Sequence, residues 1–131
     1  MSSPLTHTFP STSVDNLRAR LPAALATGGF GILTEIDVAA TLHMKLGVVT
    51  PAYRIVGACN PAFAHAAIQV DPRVGLAMPC NVVLRALGDD TVVEFVDPVT
   101  TVGGLGNPAL LPLATEARAH LAGVLRALVE G

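Results

Sequence analysis

The sequence predicts an α+β fold in a single domain, with helices packed mainly on one face of a mixed sheet of about five strands. Two observations carry that prediction. Apolar residues recur at every second position in several short runs, and at three- and four-residue steps in the runs between them, giving the order β-α-β-α-β-α-β-β-α. The length of 131 residues suits one domain over 1–131 with its core at about 5–129, and no repeat or low-complexity linker divides it.

Leu5, His7 and Phe9 alternate with Thr6 and Thr8 as in a half-buried strand. Ser11 to Ser13 then offer cap hydroxyls, and Val14, Leu17, Leu21 and Leu25 share one helical face until Gly28-Gly29 stops it. Pro22 stands inside that pattern, where it has no N–H to donate and crowds the carbonyl four residues back, so a kink or a restart is expected. Phe30 to Ile36 alternates again, with Phe30, Ile32, Thr34 and Ile36 on one face and Gly31, Leu33 and Glu35 on the other. Asp37 caps the next helix, in which Val38, Leu42 and Leu46 form the stripe, Lys45 suits the negative end of the dipole and Gly47 the left-handed exit.

Tyr53 to Cys59 reads as the third strand, with Tyr53, Ile55, Gly57 and Cys59 sharing a face. Asn60 is a favoured cap and Pro61 a favoured first helical residue, so the strand passes directly into a helix over about 61–70 that Asp71-Pro72 ends. Val74 to Leu87 reads as a long strand interrupted by Pro79, which implies an edge or a bulge at Met78-Pro79-Cys80. Gly88-Asp89-Asp90 turns it into an antiparallel hairpin with Thr91 to Asp97. A glycine-rich connection leads to Asn107-Pro108 and a long last helix with Leu110, Leu113, Ala117, Leu121, Val124 and Leu128 on one face.

Composition narrows the function. Apolar residues make up 51% of the chain and charged residues 14%, which argues against disorder and for a second subunit covering part of the surface, a homodimer being the simplest case. The net charge is −2 and the eight basic residues are scattered singly, so the chain lacks the footprint of a nucleic-acid binder. No signal-peptide pattern opens it and no run has the length of a membrane span, so a cytoplasmic protein with reduced thiols and no membrane partner is expected.

In the runs Gly29-Phe30-Gly31-Ile32-Leu33-Thr34-Glu35-Ile36-Asp37-Val38, Tyr53 to Pro61 and Met78-Pro79-Cys80-Asn81-Val82, the chain resembles the family called domain of unknown function 302. The resemblance extends from about Val14 to Leu128 and is specific in the combination of these pieces. It implies a small α+β domain, commonly dimeric, with no established reaction. The sequence departs from the family pattern at His43 and Met44, where charged residues are more usual.

Each cysteine precedes an asparagine at the end or irregularity of a predicted strand, in Cys59-Asn60 and Cys80-Asn81. Were the two strands neighbours, the thiols could meet, and Cys59 would feel the positive end of the following helix, which favours thiolate. Cys59, Asn60, Cys80, Asn81 and, in second line, His65 are therefore the candidate ligand-binding residues. Cys59, Cys80, His65 and Met78 would form a soft set for copper or zinc, although no paired ligand spacing supports a metal assignment. Against this stand plainer readings in which the cysteines are small core residues and the asparagines caps. Glu35 and Asp37 leave one strand face as a carboxylate pair, with a solvated edge and a cap as their simpler roles. Arg54 and Arg73 read as solvated, His7, His43 and His120 as surface or half-buried residues, and Gly103 to Gly106 as a connection rather than a phosphate loop.

Three functions remain open on these residues. The first is a homodimeric binding or accessory domain with a pocket for a small molecule or metal around the Cys-Asn elements; its cofactor is unknown. The second is a thiol enzyme or redox protein using Cys59, and the third a structural dimer without a small-molecule site.

Overall fold

A computed structural model describes residues 4–131; what was expected of residues 1–3, as part of the N-terminal reading, lies outside them. The first strand, β1 (Thr6–Phe9), leads into helix α1 (Val14–Thr27), whose cap Ser13 accepts the Asn16 N–H at 3.0 Å. Strand β2 (Gly31–Asp37) passes directly into α2 (Val38–Leu46), with Asp37 accepting the Ala40 N–H and Gly47 in the left-handed exit at φ 69°. Strand β3 (Tyr53–Cys59) runs into α3 (Pro61–Val70), then comes the hairpin β4 (Cys80–Leu87) and β5 (Asp90–Phe95). A short α4 (Pro98–Thr101) and two 3-10 turns precede the long α5 (Leu111–Glu130).

The five strands form one sheet in the order β1-β5-β4-β3-β2, and all four pairings are antiparallel, so the sheet is not mixed as the alternating helices suggested. The reason is that α2 and α3 each return the chain beside the strand it has just left, rather than crossing over to a parallel neighbour. Helices α1 and α5 cover one face. Leu17, Leu21 and Leu25 of α1 and Leu121, Val124 and Leu128 of α5 pack on Val56, Ala58, Cys80, Val82, Leu84, Val93 and Phe95.

Three local expectations are corrected. Residues Pro72–Ala77 form a 3-10 helix, and the fourth strand begins only at Cys80, after a cis Met78–Pro79 peptide, because Asp71 caps a helical turn at the Arg73 N–H instead of starting a strand. Of the kink or restart expected at Pro22, the restart does not occur, since α1 runs through the proline as one helix. The proline lies on its exposed side, so the missing donor costs one bond and leaves the buried stripe intact. In β2 the simple alternation breaks at Leu33, where a bulge shifts the register: Phe30 and Ile32 belong to the core, whereas Thr34 and Ile36 lie opposite Gly57 and Ile55 on the other face.

A second, smaller cluster of Ala67, Val74, Val102, Leu110 and Ala114 joins α3 and α4 to the first half of α5. Arg73, expected to be solvated, fastens its rim: it donates to the buried Asp71 carboxylate and to the Leu105 carbonyl, and Asn107 donates to the same carboxylate at 3.2 Å. These bonds, Arg73's first among them, hold the Asp71 carboxyl down at about 2. Arg118 of α5 likewise donates to Asp97, which caps α4.

Candidate functional site

The register decides where the two cysteines go. Ala58 lies directly opposite Cys80, so these two side chains share a face, and Cys59, the next residue, leaves the opposite one. Cys80 points into the core, only 5% exposed, and burial first, then the neighbouring Cys59, pushes its thiol up to about 11. Both cysteines are free, and the expectation that their thiols meet in one pocket is not met. The remaining candidates also separate. Asn81 is exposed on the uncovered face of β4, where it lines a shallow depression with Thr6 and Glu94, His65 is exposed on α3, and Met78 packs against the smaller cluster. Cys59, Cys80, His65 and Met78 therefore do not converge as a soft-metal set, and no group of three or more His, Cys, Asp or Glu side chains placed to hold a metal is present among the described residues.

Asn60 does more than start a helix. Its Oδ1 accepts the Phe63 N–H at 3.1 Å, while its Nδ2 donates to the Gly28 carbonyl at 3.2 Å, tying the start of α3 to the end of α1. It also borders a cleft between two helices. Ala62, Phe63 and Ala66 of α3 face Leu113, Glu116, Ala117 and His120 of α5 across a space of about 250 Å³. The floor is apolar, and Glu116 and His120, four residues apart on one face of α5, bring a carboxylate and an imidazole to one rim. Sequence reasoning missed this cleft. Its one sequence signal is the Glu116–His120 spacing, and nothing local reveals that α3 lies across from it.

Glu35 and Asp37 do leave one face, but as parts of an ion network. Glu35 accepts from Arg18 Nε at 2.8 Å and from Arg54 Nη1 at 3.2 Å, and Arg54 also reaches Asp15 at 3.0 Å. The Arg18 hydrogen bond, with Arg54 adding to it, holds the Glu35 carboxyl below its usual value despite some desolvation. A carboxylate kept ionised by two arginines is a poor proton donor or acceptor near neutral pH, and the network reads as a clasp between α1, β2 and β3.

Fold and site together define a small one-domain α+β protein with one helical layer on an antiparallel sheet and a cleft where its helices meet. A model of the family described as domain of unknown function DUF302 matches residues 5–128. The chain belongs to that family, for which no activity is established. Among solved structures it is similar to the crystal structure of an uncharacterised conserved DUF302 protein from Bacillus stearothermophilus, with a TM-score of 0.84 and 27% identity over 95% of this chain and 98% of that one. No curated protein matches it.

Proposed function

We propose that the chain is a small binding domain whose ligand site is the cleft between α3 and α5. The observation that carries this reading is the convergence of an apolar floor, Phe63, Leu113 and Ala117 among it, with the polar groups of Asn60, Glu116 and His120 in one concave space. At about 250 Å³ the cleft is smaller than the roughly 300 Å³ at which drug-sized sites begin, so it suits a compact molecule. Glu116 gives the rim negative charge, which favours a ligand with a short branched apolar part and an ammonium or other hydrogen-bond donor. Isoamylamine and isovalerate, matched in shape and opposite in charge, test it by amide NMR shifts. The amine should give saturable shifts at Phe63, Ala66, Glu116 and Ala117 that weaken at least fivefold in Glu116→Gln, and the carboxylate none. Shifts that are absent, or spread evenly over the surface for both probes, would refute the site.

A homodimeric assembly is the second part of the reading. It is supported by the sheet face opposite α1 and α5, which carries no helix of the main layer, and by α2, in which no residue is buried and Met44 and Leu46 stand exposed. A helix of nine residues is too short to hold itself without packing, for which roughly 12 to 15 are needed. No helix among the described residues is long and apolar enough to cross a membrane. A location in the cytoplasm accords with two unpaired cysteines.

A further inference from the structure

Ile36, Ile55 and Val83 stand in one row across β2, β3 and β4 on the sheet face away from the core, and the next residue of the row, on β5, is Glu94. Ile36 is 50% exposed. Arg85 lies on the same face two residues along β4 from Val83, diagonal to Glu94. Arg18, Arg54, Arg73 and Arg118 all bond carboxylates of their own chain. Arg85 and Glu94, by contrast, make no ion pair among the described residues.

An apolar row bordered by one cation and one anion is complementary to itself. A basic partner would leave Arg85 opposed and an acidic one would leave Glu94 opposed, whereas a second copy turned about a two-fold axis in the interface answers both. We propose that this face is the homodimer interface, with Ile36, Ile55 and Val83 of the two copies packed together and Arg85 of each paired with Glu94 of the other. This assignment rests on the homodimeric reading above and adds to it the surface and the pairing. On such an isologous surface each contact occurs twice, so one substitution per chain removes two of them.

Light scattering on the full chain, with circular dichroism to verify folding, tests the assignment. Wild type at micromolar concentration should have twice the 13.4 kDa of one chain. Val83→Lys should halve that mass, with Ile36→Lys as its replacement should Val83→Lys not fold, because Ile36 is already half exposed. Arg85→Glu should weaken dimerisation at least tenfold, and Arg85→Glu with Glu94→Arg should restore it. A monomeric wild type would overturn the homodimeric reading itself. A dimeric wild type unaffected by any of these changes would leave that reading standing and overturn the assignment of this face. Loss of the dimer in Arg85→Glu without recovery in the double variant would overturn the pairing.

Discussion

Gly57 illustrates how much one residue can settle. It lies on the face of β3 that Cys59 also occupies, and a Cβ there would overlap Thr34 Oγ1 and come within 2.7 Å of Pro79 Cγ. The residue is buried between its neighbours, so only a hydrogen fits. Gly57→Ala should therefore cost about 1 to 3 kcal/mol in a urea titration, the range for overpacking a tight site. At Cys80 burial governs chemistry in the same way. A maleimide at neutral pH should modify Cys59 and spare Cys80 in the folded protein, and modify both in denaturant, as mass spectrometry would read directly. Because the folded thiol titrates at about 11 rather than the ordinary 9.0, the unfolded chain gives up its proton first. The resulting stability is fully present below about pH 9 and lost as pH rises to about 11, on the order of 3 kcal/mol at 1.36 kcal/mol per unit. Wild type should show this fall between about pH 9 and 11 and Cys80→Ala should lack that component.

Among the elements, α1 shows a conflict between propensity and packing in which packing prevails. Val14, Leu17, Leu21, Ala24 and Leu25 are all buried, and this stripe holds the helix through a proline that propensity alone would exclude. Since Pro22 touches solvent and not the core, Pro22→Ala restores a donor toward the Arg18 carbonyl without opening a cavity. Thermal unfolding should then show a gain of about 1 to 2 kcal/mol, less than the full helix-interior penalty because the proline also restricts the unfolded chain. A loss would mean that the rigid ring helps α1 more than the missing bond harms it. Strand β2 is the counterpart. Its alternation reads as one continuous period, yet the bulge at Leu33 exchanges faces midway, which places Ile36 on the open side and Glu35 beside Arg18 and Arg54.

Over the whole molecule, α5 joins two packing units. Its second half closes the main core with α1 and the sheet, while its first half, with α3 and α4, builds the smaller cluster. The proposed ligand cleft opens on this junction, bordered by Asn60, whose amide also reaches back to Gly28. The sheet face away from α1 and α5 carries the row of Ile36, Ile55, Val83 and Glu94. Ligand cleft and proposed dimer face thus lie on different sides of the sheet, so the two proposals can be tested independently.

Outside Pro72–Ala77, the sequence by itself determined the element types, the caps at Ser13, Asp37 and Asn60, the β4–β5 hairpin and the buried stripes of α1 and α5, because each depends on residues within a few positions of one another. The family was legible for the same reason, through short motifs read in order. Tertiary structure alone decided that the sheet is antiparallel, that Cys59 and Cys80 leave opposite faces, and that Asn60, Glu116 and His120 gather around one cleft. Those outcomes depend on strand register and on which helix lies across from which. Period-two alternation says that neighbours in one strand oppose each other, but not which residue of another strand a given one will face, and a shift of one position would have brought the two thiols to the same side.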